Sequence, residues 1–253
     1  MEQIKRVALV TGAASGIGKA IAERLNSNGV QVVGADVDEA IEELAKEAGL
    51  SGVVCDLSQR EECRRLADEV ISRHQRIDIL INNAGFQHVA SIDSFPEDTW
   101  DQMLAVLLTA PFLLTRYLWP AMKKQGFGRI INIGSIHSLV ASPFKCGYVA
   151  AKHGLLGLTR VAALEGGESG ITVNAICPAY VQTPLVDRQI EDQSRALGIP
   201  PEQVISTVML QPAAIKRLIH PDEIAGLVSY LCSDAAGSIT GAAWTVDLGW
   251  TSR

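Results

Sequence analysis

The sequence predicts a single α/β domain built on an open, doubly wound parallel sheet, and three observations carry that expectation. Short apolar, β-branched runs alternate with helix-forming stretches along all 253 residues. The first two runs, Val7–Val10 and Gln31–Ala35, are joined by a glycine-rich turn and one helix, the pattern of a βαβ unit. Polar and small residues cluster directly after the runs, at the carboxyl ends of strands, where ligands bind in open parallel sheets.

In order, Val7–Val10 is followed at once by T-G-A-A-S-G-I-G, Thr11 to Gly18. A helix over Gly16–Asn28 turns Ile17, Ala20, Ile21 and Leu25 inward, and Gly29 ends it. Gln31–Ala35 closes on Asp36. The glycines fall as G-x-x-x-G-x-G: Gly12 permits a tight turn, Gly16 lets a pyrophosphate approach the backbone, and Gly18 lets helix and strand pack closely. The free N–H groups and positive dipole of the helix start then favour phosphate. Thr11, Gly12, Ser15, Gly16, Ile17 and Gly18 are therefore assigned to a dinucleotide. The Asp36 carboxylate suits both hydroxyls of an adenosine ribose and repels a 2′-phosphate, and neither Ala14 nor Val37 supplies an arginine to welcome one. NAD is expected rather than NADP.

Ile41–Ala48 reads as helix and Gly52–Cys55 as a strand ending at Asp56 and Leu57. Asp56 is expected to cap the helix Glu61–His74, to meet the adenine amino group, or to do both. The strand Ile79–Ile81 ends in N-N-A-G, Asn82 to Gly85, whose Asn83 and Gly85 suit a cofactor floor. Asp98–Lys123 is a helix expected to bend or break near Pro111 and Pro120. The strand Arg129–Ile133 delivers Ser135, and the helix Gly147–Glu165 carries Tyr148 and Lys152 four residues apart on one face. A hydroxyl facing a phenol and an ammonium offers proton transfer at a hydroxyl or carbonyl. The ammonium is expected to lower the phenol's pKa from about 10 toward neutrality. Ile171–Ile176 closes on C-P-A-Y-V-Q-T-P, Cys177 to Pro184, where Pro178, Val181 and Thr183 are assigned to the cofactor. Leu185–Leu218 is polar and irregular and reads as a helical flap over a ligand; Asp222–Cys232 is a helix and Ala243–Val246 the last strand.

Composition narrows the class. A hydrophobic fraction of 47% supports a sizeable core, and the net charge of −6 disfavours a nucleic-acid or anionic-membrane partner. The five cysteines are scattered and lack C-x-x-C spacing, which argues against a disulfide framework or a metal site and for a reducing cytoplasm. No run is expected to approach the ~18 apolar residues of a membrane span, and no signal-peptide h-region precedes the first strand.

The motifs T-G-A-A-S-G-I-G, Asp36, Asp56-Leu57, N-N-A-G, Ser135, Tyr148 and Lys152 together resemble the short-chain dehydrogenase/reductase family, across essentially the whole chain. The resemblance implies a single Rossmann-type domain spanning 1–253, a seven-stranded parallel sheet in order 3-2-1-4-5-6-7 with helices on both faces, and a homotetramer. Within that family, F-Q-H-V, S-I-H-S, F-K-C-G-Y-V-A-A-K-H-G, T-P-L-V-D-R-Q-I and the terminal G-W-T-S-R resemble the bacterial 3-hydroxybutyrate dehydrogenases. That narrower resemblance implies interconversion of (R)-3-hydroxybutyrate and acetoacetate. It also implies that Gln87, His137, Lys145 and Gln189 hold a substrate carboxylate beside Ser135 and Tyr148, with Trp250 on the methyl end. Lys145 and His137 flank the reacting site, as a small anionic acid requires. Three positions depart from the family pattern. Leu107 stands where a catalytic asparagine is usual, and it cannot hydrogen-bond a relay water; Ala179 and Leu248 replace glycines. The residues leave open another hydroxy acid, a polyol or a steroid as substrate, and a weakly catalytic NAD-binding protein.

Overall fold

In a computed structural model, described for residues 5–252, the strands lie where β-branched and apolar residues cluster. Residues 1–4 and Arg253, the end of the terminal G-W-T-S-R stretch, lie outside the described residues. β1 (Val7–Thr11), β2 (Gln31–Asp36), β3 (Ser51–Val54), β4 (Ile79–Asn82), β5 (Gly128–Ile133), β6 (Ile171–Pro178) and β7 (Ala243–Val246) form one sheet in order β3-β2-β1-β4-β5-β6-β7. Every pairing is parallel. The order reverses between β1 and β4, so the crevice of a doubly wound sheet opens above their carboxyl ends.

The strand period of two sorts side chains into two cores. Val7 and Leu9 face one cluster, with Leu66 and Val70 of α3 (Arg60–His74) and Leu114, Leu118 and Met122 of α5 (Ala110–Gln125). Ala8 and Val10 face the other, with Ile21 and Leu25 of α1 (Gly16–Ser27) and Ile224 and Val228 of the helix Pro221–Leu231. The short helix α2 (Ile41–Glu47) covers the β2–β3 edge with Ile41 and Ala45. Gly12 has φ of +66°, and a Cβ on Gly18 would collide with the Gly12 carbonyl oxygen, so both glycines are demanded by the turn itself.

The expected bend near Pro111 takes a particular form. α4 (Glu97–Leu104) passes through a π-helical turn, Ala105–Thr109, into α5, and the helix then continues through Pro120. Pro111 has no N–H to return to the carbonyl four residues earlier, that of Leu107, and the Ala110 N–H reaches back five residues to Ala105. An 18-residue window within Glu97–Gln125 has a mean hydropathy of 1.3, long and apolar enough to cross a membrane by composition alone; here its apolar face lies in the core.

α6 (Cys146–Gly166) lies against β6, is tied to β5 by side-chain hydrogen bonds, and presents Tyr148 to the crevice. The expected flap emerges as α7 (Pro184–Leu197), α8 (Pro201–Val204) and a π turn, Ile205–Met209, around Val186, Ile190, Val204 and Met209. A parallel bridge between Val181 and Ile219 ties the two feet of this excursion together. α9 (Pro221–Leu231) then returns the chain to the sheet.

Candidate active site

The carboxyl ends of β1, β4, β5 and β6 deliver their loops to one cleft of about 790 Å³. At one end it is walled by Gly12, Ser15, Gly16, Ile17 and Asp36, with Asp56 and Leu57 beside them. Asn83 and Gly85 form its floor, and Pro178, Val181 and Thr183 its far wall. At the other end stand Ser135, His137, Lys145, Tyr148, Lys152, Gln87 and Gln189. Residues far apart in sequence thus share one cavity because parallel strands deliver every loop to the same edge.

Three expected contacts lie elsewhere. Thr11 is buried behind the wall: its hydroxyl donates to the Ile81 carbonyl (3.2 Å) and accepts from the N–H groups of Asn83 (3.0 Å) and Ala84 (3.1 Å). Gly18 likewise acts through packing, beneath Gly12. Trp250 does not line the cleft; Asp247 accepts from the N–H groups of Gly249 (3.0 Å) and Thr251 (2.8 Å), and that turn is tied to the flap's foot by the Ala214 N–H on the Leu248 carbonyl. Leu248, in a glycine position of the family pattern, takes φ of +58° there. Asp56 is not a helix cap: it accepts from the Ser58 N–H (2.9 Å), and Gln59 takes the cap position of α3.

In the cofactor end, Asp36 already works for the loop. Its Oδ2 accepts from the Ala14 N–H (2.9 Å) and Oδ1 from the Asp38 N–H (3.1 Å). The Asn83 amide donates to the carbonyls of Thr11 (2.9 Å) and Gly12 (3.2 Å), stapling the floor to the glycine turn. Residues 36–38, Asp36-Val37-Asp38, line the cleft with two carboxylates and no cation. The turn, the cradle of backbone N–H groups and this acidic edge fit a nicotinamide dinucleotide.

The catalytic end is nearly closed to solvent. Lys152 is buried, its Nζ donates to the Ile133 carbonyl (2.7 Å), and it sits 5.6 Å from the Tyr148 ring centroid. Burial pulls its pKa down to about 8. Tyr148 departs from expectation. Burial pushes its phenol up to about 12, against the lowering hydrogen bond with Ser135.

Next to this pair lies a buried cationic corner. Lys145 Nζ is 3.5 Å from His137 Nε2 and 5.7 Å from the centre of the Tyr180 ring. Among the described residues it joins no ion pair, and burial lowers its pKa. Burial, with Lys145 adding to it, holds His137 at about 4 and therefore neutral at pH 7. Gln189 of α7 donates to Gln87 Oε1 (2.7 Å), bringing the flap onto the floor, while Gln87 Nε2 is buried without a partner among the described residues. An ammonium and an unspent amide donor in a desolvated corner fit a carboxylate. Sequence reasoning did not single out Tyr180, Arg188 or Gln102, which also line the cleft; the C-P-A-Y strand end was the one signal for Tyr180.

Leu107 is fully buried in the π turn and lines the cleft against Gly85, packed with Met103, Ala151 and Tyr148. An apolar side chain thus closes this wall.

Comparison with known proteins agrees with this architecture. Residues 12–251 match the family model described as Enoyl-(Acyl carrier protein) reductase. The chain is 48% identical over 256 residues to D-beta-hydroxybutyrate dehydrogenase of Rhizobium meliloti, covering 98% of this chain and 99% of that protein. It is 42% identical over 256 residues to D-beta-hydroxybutyrate dehydrogenase of Cupriavidus necator, covering 98% of each. A crystal structure of a single-substitution variant of actinorhodin polyketide ketoreductase with NADPH superposes with a TM-score of 0.92 at 33% identity, covering 98% of both chains. This chain belongs to the short-chain dehydrogenase/reductase family and is an oxidoreductase that takes a nicotinamide cofactor.

Proposed function

We propose that this enzyme interconverts (R)-3-hydroxybutyrate and acetoacetate with NAD as its cofactor. The observation that carries the substrate class is the buried corner of Lys145, His137, Gln87 and Gln189 beside Tyr148, where an ammonium lacks an acidic partner. Its chemistry is that of a small monocarboxylate. The preference for NAD rests on Asp36, whose carboxylate meets a ribose diol and repels a 2′-phosphate.

When bound, the nicotinamide ring supplies the hydride acceptor of the oxidation. Tyr148 takes the substrate hydroxyl proton as general base and returns it in the reverse direction. Its elevated pKa in the ligand-free site means that the phenolate must be favoured by nearby positive charge: the Lys152 ammonium and, in the oxidation, the oxidised cofactor. Ser135 hydrogen-bonds the reacting oxygen and steadies the charge that develops there. Lys152 also holds the cofactor's nicotinamide ribose. Leu107 offers no hydrogen bond to a water next to Lys152, so proton exchange with solvent is slowed on that side. The flap, already in contact through Gln189 and Gln87, excludes water. The working form is a homotetramer in the cytoplasm.

Tyr148→Phe tests the assignment. Turnover should fall by about 1,000-fold or more, with NADH affinity unchanged within about 2-fold. Retained turnover removes Tyr148 from the chemistry.

A further inference from the structure

Beneath the catalytic helix runs a chain of three buried polar side chains in otherwise apolar layers: Asn82 on β4, Asn132 on β5 and Thr159 on α6. Asn82 and Asn132 are register partners in the parallel ladder, so they point to the same face. Asn82 Nδ2 donates to Asn132 Oδ1 (2.8 Å), Asn132 Nδ2 donates to Thr159 Oγ1 (2.8 Å), and Thr159 Oγ1 donates to the Leu155 carbonyl (2.8 Å). The direction is fixed from the helix outward. The hydroxyl's one proton is committed to Leu155, so Thr159 can only accept from Asn132, and this sets both amides.

A second tie lies two helical turns away. Lys152 and Thr159 are seven residues apart on one face of α6, while their partners Ile133 and Asn132 are adjacent on β5. Apart from these ties, α6 rests on the sheet through Leu156, Ala162 and Ala163, contacts that are not directional and permit sliding. An apolar trio would fill the same space without the cost of desolvating two amides and a hydroxyl. What the polar chain adds is register.

We infer that Asn132 and Thr159 are positioning residues that hold α6 so that the Lys152 ammonium stays on the Ile133 carbonyl beneath Tyr148. This rests on the proposed roles of Tyr148 and Lys152. Thr159→Val keeps the volume and leaves Asn132 Nδ2 unpaired. Steady-state oxidation of (R)-3-hydroxybutyrate should then show kcat down about 10-fold at neutral pH with KM for NAD within about 2-fold. The acid limb of the kcat–pH profile should move upward by about one unit, because a displaced ammonium favours the phenolate less. Thr159→Ser should restore both. If Thr159→Val does not fold, Thr159→Cys, a weak hydrogen-bonding partner of similar size, carries the same comparison. A lower melting temperature with an unmoved acid limb overturns the inference and leaves a structural role alone. Tyr148→Phe run alongside separates the two failures: if it stays active, the proposed chemistry falls and the inference with it.

Discussion

The two ends of the cleft are built on opposite terms. At the cofactor end the polar groups are already spent on the protein: Asp36 on two backbone N–H groups, Thr11 on Ile81, Asn83 and Ala84, and Asn83 on two carbonyls. At the substrate end they are held back, with Lys145 facing a neutral imidazole and Gln87 Nε2 facing no acceptor among the described residues. A dinucleotide is large and contacted mostly by backbone and small residues, so its cradle can be finished before it arrives. The small acid proposed as substrate offers few atoms, and a site for it must keep desolvated donors in reserve for a carboxylate.

The largest effect should come from breaking the finished end. Gly18→Ala drives a methyl into the Gly12 carbonyl oxygen, where backbone must move. NADH affinity, read by fluorescence titration, should fall by about 100-fold or more, or the protein should lose about 3 kcal/mol or more of stability in denaturant unfolding. A Gly18→Ala enzyme with normal affinity and stability would mean that the turn is not rigid.

The reserved end should show itself in pH dependence. His137 is held at about 4 in the folded chain against an ordinary 6.5, so below 6.5 the unfolded chain binds a proton the folded one refuses. Its contribution is complete above 6.5 and is lost as pH falls toward 4, up to about 3 kcal/mol for a shift of this size. Melting temperatures of wild type and His137→Asn across that window should converge toward the acid end.

A smaller effect is expected at the wall between the two ends. Leu107→Asn restores a hydrogen-bonding group beside Gly85 and Tyr148 and should raise kcat by about 3-fold, at a cost of about 2 kcal/mol in packing. Unchanged kcat would mean that protons leave Lys152 by another route.

The same contrast explains how much was legible in the sequence. The cofactor end was readable because close backbone approach requires glycine at fixed positions, and the strands because β-branched runs end at them. Sequence also placed Ser135, Tyr148 and Lys152 together, since strand end and helix face are local properties. It did not give Tyr148 its raised pKa, which depends on burial by distant elements, nor the route of Lys152 Nζ to the Ile133 carbonyl. Pro111 signalled a bend, but the π turn that sets Leu107 into the wall is a matter of hydrogen-bond slippage one turn earlier. Where Trp250 sits relative to the cleft hangs on the Asp247 turn, and Tyr180, marked by the C-P-A-Y strand end alone, is brought to the cleft by the β6 strand end.

The central claim is that Lys145 and its neighbours select a carboxylate. Initial rates with NAD for (R)-3-hydroxybutyrate and for (R)-butane-1,3-diol, which lacks the carboxylate, test it directly in wild type and Lys145→Ala. The wild type should prefer the acid by about 100-fold or more in kcat/KM, and Lys145→Ala should erase about 30-fold of that preference while leaving KM for NAD unchanged. Equal rates for acid and diol in the wild type, or a preference that survives Lys145→Ala intact, would contradict the account.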